Sequence, residues 1–366
     1  MGEVIFKDNE GDRMCKELVL SGTPYERGVT YGAACYHEIR HSIQSYSQLF
    51  AERRGISWQQ ARVLATSFVD VIRSTGEEYL AEMEGIAAGA ELDFEDILAI
   101  NCRSEVLYAP IAPQECTALS LLPPATAEGK VLAAQNWDYV RSQREAVVVL
   151  RISDLGGKPD ILMFTEAGMI GGKGMNSAGL ALMLNALSTT QYAYGLPLHV
   201  RMRRILEQTT MEAGYKAAVT GAHPSPANLI ITHRDGLSLD LEIECTGVDI
   251  LQPKKGVIVH TNHFIGPKFS NRPHAASSNT YTRLQRIDAL LSDHTGLTVA
   301  DAKAALCDHA GYPYSICKHT DPHVEKDAMQ QGATNYSLIM DLTEGVAHFA
   351  WGNPCEIEFT TLAMKI

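Results

Sequence analysis

Cys116 opens a short apolar stretch, Thr117-Ala118-Leu119-Ser120, and a second stretch runs into Gln135-Asn136-Trp137-Asp138. Pairing 117–122 with 131–139 around the turn-rich residues 123–129 centres a hairpin near residue 127 and sets Cys116 opposite a position near 138. Asp138 is then a neighbour of the thiol, with a register slip of one or two as the uncertainty built into such a pairing. A thiol attacks a carbonyl only after a base takes its proton, and no histidine lies near Cys116 in the chain. Breaking the Glu115–Cys116 bond would create such a base: an α-amine, ordinarily with a pKa of about 7.7–8.0. That amine can take the proton of its own thiol and return it to a leaving amine, with Asp138 orienting the ammonium. Against this stands the bland reading, a buried structural cysteine at the start of a core strand, which burial statistics favour.

The elements that must position these residues change type along the chain. Thr23-Pro24-Tyr25-Glu26 is a capping box with proline in the first turn, predicting a helix toward Arg53. Ser57-Trp58-Gln59-Gln60 repeats the signal and predicts a second long helix with Val63, Leu64, Phe68, Val71 and Ile72 on its apolar side. Asp93 caps a third through Ile97 and Ile100. Tyr108 to Glu115, with Pro110 and Pro113, reads as a linker. Beyond it strands dominate, at 146–152, 161–165, 180–185, 229–232, 237–243, 257–260, 337–340 and 346–350, with helices at 197–213, 280–292 and 298–309. This order requires sheets covered by helices, an α+β arrangement, not a doubly wound parallel sheet.

The 366 residues are 45% hydrophobic and 20% charged, with mean hydropathy of −0.08, ordinary values for a chain with a packed core. The net charge of −12 and the lack of a basic run argue against nucleic acid as a partner. No apolar run is long enough to span a bilayer, and Met1 to Lys7 lacks the core of a signal peptide, so no membrane association is expected. Eight cysteines without a CxxC pair fit reduced thiols and a cytoplasmic setting; the tail Ala363-Met364-Lys365-Ile366 only faintly echoes a peroxisomal ending.

A series of short strings, in order, resembles the acyl-coenzyme A:6-aminopenicillanate (isopenicillin N) acyltransferases among the cysteine N-terminal nucleophile hydrolases. They are Gly22 to Gly28 with Gly32, Glu84 to Ala87 with Gly89-Ala90, Cys116-Thr117, Gln135 to Asp138, and Thr165 to Gly168 with Ile170-Gly171. Gly174 with Asn176 to Gly179, His260 to His263, and Gly332-Ala333-Thr334 complete the series. The resemblance implies a four-layer αββα sandwich and cleavage immediately before the cysteine. It implies a small subunit, residues 1–115, that stays associated with a large one, residues 116–366, in one structural domain. It makes Cys116 the nucleophile, Asp138 the catalytic aspartate and Asn262 the amide that helps hold an oxyanion, with no cofactor and acyl-CoA as a substrate. Thr117, Trp137, Glu244 and Gln331 become pocket candidates.

Three positions depart from the penicillin enzyme. Glu115 stands where a glycine precedes the nucleophile, Gln331 replaces an arginine, and Glu244 replaces a serine. Loss of the arginine removes a fixed charge, and a carboxylate at Glu244 would favour a cationic substrate. The second reading is therefore an uncleaved relative that binds a small molecule. Cys317, His319 and His323, and His260 with His263, offer ligand types suited to zinc, but their spacing matches no zinc motif and no metal is assigned. Cys15, Cys35, Cys102, Cys307 and Cys355 read as core or subsurface thiols. Gly168 to Gly174 reads as a tight turn between strands.

Overall fold

The computed structural model describes residues 4–7, 14–107, 115–271 and 277–364. Six strands form one sheet in the order β12 (Val257–His260), β3 (Glu115–Leu121), β4 (Leu132–Val140), β13 (Gly332–Asp341), β14 (Val346–Ala350) and β15 (Thr360–Ala363), all antiparallel. The other sheet has nine: β1 (Val4–Lys7), β2 (Met14–Leu20), β5 (Val147–Ile152), β6 (Ile161–Glu166), β7 (Lys173–Asn176), β8 (Leu180–Ala186), β9 (Ala227–His233), β10 (Leu237–Glu244) and β11 (Gly247–Leu251).

Alternation along β3 and β4 sets the layers. Leu119, Leu121, Leu132 and Ala134 point outward and bury against Ile287 and Leu291 of α10 (Ser278–Leu291) and Ala302 and Leu306 of α11 (Val299–Leu306). Cys116, Ala118, Ala133 and Trp137 point inward, into the core shared with the nine-stranded sheet, where β3 and β4 contact β8. On that sheet's far side α8 (Leu198–Leu206) covers β7 and β8, and α9 (Met211–Val219) covers β9 and β10. The result is helix, sheet, sheet, helix, the αββα layering that the resemblance implied.

The N-terminal region departs from its expected all-helical form. Its first described elements are β1 and β2, and β2 runs parallel to β5, the one parallel strand pair among the described residues. That partner lies over a hundred residues downstream, a pairing that local pattern cannot reveal. The helix predicted from Pro24 is two, α1 (Pro24–Ala34) and α2 (Tyr36–Arg54), because Cys35 leaves helical geometry at φ −112°, ψ 25°. The second predicted helix is likewise α3 (Trp58–Thr66) and α4 (Val69–Thr75). Val63 and Leu64 are 61% and 43% exposed, contrary to expectation; Ala61 and Ala65 carry that packing.

The capping boxes at Thr23 and Ser57 form as read, and Asp93 caps α6 (Phe94–Asn101). α7 (Arg103–Leu107) follows, and most of the expected linker, residues 108–114, lies outside the described residues. A helix absent from the reading, α5 (Glu77–Gly89), lies against α1 with backbones touching: a Cβ on Gly28 would stand 2.2 Å from the Glu82 carbonyl oxygen, and one on Gly85 2.2 Å from that of Tyr25. The glycine-rich segment before Gly174 is also more than a turn, since β7 begins at Lys173 and pairs with both β6 and β8. Among the described residues no helix is long and apolar enough to cross a membrane.

Candidate active site

Glu115, not Cys116, sits opposite Asp138; Cys116 pairs with Trp137. This one-residue slip matters because side chains alternate between faces. The Cys116 thiol turns into the layer between the sheets, and the Asp138 carboxylate turns outward with that of Glu115, toward α10. The two are diagonal neighbours across the β3–β4 pair, on opposite faces of the sheet.

That main chain is held from three elements. The Cys116 N–H donates to Asn262 Oδ1 at 2.7 Å. Its carbonyl accepts from Arg283 Nη1 at 2.7 Å and from Asn185 Nδ2 at 3.2 Å. Arg283 also donates to Thr117 Oγ1 at 3.0 Å and to Asn262 Oδ1 at 3.0 Å, so two donors fix the orientation of the Asn262 amide. Asn262 follows β12 and is itself set by Thr280, whose hydroxyl accepts from its N–H at 2.8 Å. Its Nδ2 donates to the Ala186 carbonyl at 3.0 Å. In the intact chain, then, the oxygen of Asn262 grips the residue expected to be the nucleophile, and its amide nitrogen is turned to the Ala186 carbonyl.

Electrostatics follow the two faces. Burial pushes the Cys116 thiol up to about 11, with the Lys173 ammonium pulling it down and Asp138 pushing it further up. Lys173 is itself lowered to about 8 by burial, with its Nζ 4.8 Å from the centre of the Trp137 ring. On the outer face burial pushes Asp138 up to about 7, against the pull of Arg283, Thr334 and Lys318. One carboxylate oxygen accepts from Thr334 Oγ1 at 2.7 Å; the other is buried with no protein donor among the described residues. Glu115 is held below its ordinary value: burial opposes the charge, but Lys318 and Arg283 outweigh it, and Asn279 Nδ2 donates to it at 2.9 Å. Lys318 forms an ion pair with Glu115.

Glu115 and Asp138 lie in the wall of a pocket of about 280 Å³ shared with Arg53, Tyr139, Lys318 and Gln331. Cys116, only 2% exposed, is not in its lining. Of the expected pocket residues, Gln331 is there, its side chain tied to Asp321 N at 2.7 Å and to the Lys326 carbonyl at 2.8 Å. The positive charge missing from Gln331 is present as Arg53 and Lys318. Thr117 is buried beneath Arg283, and Trp137 lies across from Cys116, stacked on Tyr139. Glu244 is outside this lining, its carboxylate accepting from Thr189 at 2.9 Å and from Thr246. The Glu244 carboxylate therefore does not face this pocket. His260 and His263 are engaged by Glu242 and Thr280.

Sequence reasoning missed Arg283, Asn185, Lys173 and Lys318. Lys173, a lone lysine among glycines leading into a buried strand, carried a signal; the others arrive from distant segments and carried none.

An α+β sandwich whose two sheets enclose a cysteine gripped at its own backbone defines the class of protein. Residues 125–356 match the model of the family described as acyl-coenzyme A:6-aminopenicillanic acid acyl-transferase. The chain is also 30% identical over 344 residues to the 40 kDa form of acyl-coenzyme A:6-aminopenicillanic-acid-acyltransferase from Emericella nidulans, covering 92% of each. Weaker structural likenesses include an N-acylethanolamine-hydrolyzing acid amidase ortholog of Caenorhabditis elegans (15% identity, 62% of this chain and 93% of that one, TM-score 0.43). Another is a conjugated bile acid hydrolase of Clostridium perfringens (14% identity, 68% of this chain and 96% of that one, TM-score 0.47). The chain belongs to the acyl-coenzyme A:6-aminopenicillanic acid acyl-transferase family, and is an enzyme of the acyltransferase class.

Proposed function

We propose that the protein is a self-processing cysteine enzyme that cleaves or forms an amide through an acyl-enzyme thioester on Cys116. The observation that carries this is the grip on the Cys116 main chain by Asn262, Arg283 and Asn185, beside the outward carboxylate of Asp138. In the intact chain burial holds the thiol protonated at neutral pH and 2% exposed, as befits a dormant precursor.

Processing supplies what is missing. The thiol adds to the Glu115 carbonyl carbon, the Glu115–Cys116 C–N bond breaks with a proton passing to the nitrogen, and water releases the thioester as the Glu115 carboxylate. The freed α-amine then lies on the Asp138 side of the strand and serves as base for its own thiol. Departure of Glu115 removes the side chain that fills the pocket wall beside Asp138. In turnover the thiolate attacks the acyl donor, the leaving amine or thiol takes the proton, and the acyl group passes to water or to an amine. Acyl-CoA is a candidate donor by analogy with the relatives' names, and the Asn262 Nδ2 amide, once turned from the Ala186 carbonyl, is the candidate oxyanion donor.

Residues 1–115 and 116–366 would remain together after cleavage, because β2 is part of the nine-stranded sheet and Arg103 pairs with Glu166 across the cut at 2.8 Å. One observation favours the second reading, an uncleaved binding relative: Glu115 is clamped by Lys318, Asn279 and Ser277.

Intact mass of freshly purified protein beside a Cys116→Ala variant decides between them. By residue share of 40.0 kDa, cleavage gives fragments of about 13 and 27 kDa, the larger starting at Cys116, in wild type only. A single 40.0 kDa chain unchanged on prolonged incubation overturns the self-processing mechanism.

A further inference from the structure

We infer that His309, Cys317, His319 and Cys355 form a tetrahedral site for zinc or another thiophilic divalent cation, built beside the pocket and separate from Cys116. The four residues each bring one ligand atom into a cluster in which all lie within 4.8 Å of one another. The sequence had grouped Cys317 and His319 with His323 and set Cys355 aside as a core thiol; His323 is outside the cluster, and His309 and Cys355 complete it.

Four of the six separations are close to those a metal imposes. With zinc–sulfur bonds of about 2.3 Å and zinc–nitrogen bonds of about 2.0–2.1 Å, tetrahedral ligand atoms stand about 3.8 Å apart for two sulfurs, about 3.6 Å for sulfur and nitrogen and about 3.3 Å for two nitrogens. Here the Cys317 and Cys355 sulfurs are 3.5 Å apart. His319 Nε2 lies 3.6 Å from the first and 3.4 Å from the second. The Nε2 atoms of His309 and His319 are 3.1 Å apart. Four edges of the tetrahedron thus fall within a few tenths of an ångström of the ideal.

The surroundings match as well. Glu356 Oε1 lies 3.6 Å from Nδ1 of His319, the nitrogen facing away from the cluster. Asn353 Nδ2, buried, donates toward the Cys317 sulfur at 3.7 Å. A carboxylate behind a ligating imidazole and an amide on a thiolate are the outer partners such sites use. Thiolate and imidazole together select zinc over calcium or magnesium.

The site has a place in the fold. His309 follows α11, Cys317 and His319 flank Lys318, and Cys355 follows β14. A bound cation would staple these segments and fix Lys318 where it meets Glu115. Cys355 and His309 are on the surface, so the cation has an entry path.

The test is metal analysis of the untagged full-length protein by plasma mass spectrometry, with Co²⁺ titration of the stripped protein followed in the visible. Expected are one zinc per chain and, with Co²⁺, sulfur-to-cobalt charge transfer with the intense bands of tetrahedral cobalt. Cys355→Ser and His309→Ala, surface changes clear of the pocket lining, should each weaken Co²⁺ binding more than about tenfold while circular dichroism stays native. No retained zinc with a weak octahedral cobalt spectrum overturns the proposal, as does a tetrahedral spectrum that both variants leave intact. A Cys317–Cys355 disulfide in the purified protein, seen as a mass deficit of two hydrogens, also overturns it if reduction fails to restore cobalt binding.

Discussion

Between α1, α5 and α8, Glu82 accepts from Arg27 at 3.2 Å and from Arg203 at 3.0 Å, and Arg203 also holds Glu207 at 3.0 Å. Between β3, β4 and α10, Asp138 accepts from Thr334 and leaves its second oxygen without a protein donor among the described residues. Both clusters bury charge. In the first, burial works against the charge on Arg203, but Glu82 and Glu207 raise its pKa above the ordinary value, so Arg203 stays charged. In the second, burial wins and leaves Asp138 at about 7. A buried carboxylate with both oxygens paired to arginines, as in Glu82, is a structural part, whereas one left part-open beside a pocket is chemically available.

The largest effect should separate the two clusters by kind. Asp138→Asn keeps shape and the Thr334 contact but cannot carry charge, so processing and turnover should fall about 10²–10⁴-fold, with little loss of stability in chemical denaturation. A matching collapse of stability would make Asp138 structural, like Glu82.

Glu82→Ala is the converse. It strands two arginines in the core and should cost about 3–5 kcal/mol of unfolding free energy, while the protein that does fold processes at the normal rate.

A pH titration of stability sharpens the contrast further. The folded pKa of Asp138, about 7, lies above the ordinary 3.8, so the folded chain binds this proton more tightly than the unfolded chain. The stability it contributes is full below about pH 4 and is lost as pH rises toward 7, at up to about 1.4 kcal/mol per pH unit. Comparing Cys116→Ala with Cys116→Ala/Asp138→Asn in urea at pH 4 to 7 isolates this slope; identical slopes would refute it.

The smallest effect is at Val63, expected in the core but 61% exposed: Val63→Ser should change stability by no more than about 0.5 kcal/mol.

The same contrast shows what could be read before folding. Cys116, Glu115, Asp138 and Asn262 were legible because their strings are contiguous. The face each would point to was not, since a slip of one residue turned Asp138 to the face opposite the thiol. Gln331 lines the cavity beside Glu115 and Glu244 does not, because Glu244 lies on the nine-stranded sheet, whose position relative to β3 depends on how two sheets stack. The long helices were predicted as single pieces because local periodicity continues through Cys35, where tertiary packing bends the chain.

By itself, the sequence determined the change from helices to strands, the capping boxes, the hairpin of β3 and β4, and the nucleophile candidate with its family. These rest on interactions within a few residues or on strings conveyed whole. Tertiary structure alone decided the parallel pairing of β2 with β5, the convergence of Arg283, Asn185 and Lys318 on residues 115–116, and the meeting of His309, Cys317, His319 and Cys355. Each joins segments far apart in the chain, and their proximity comes from burying two sheets against each other and against helices, a collective result that no local pattern encodes.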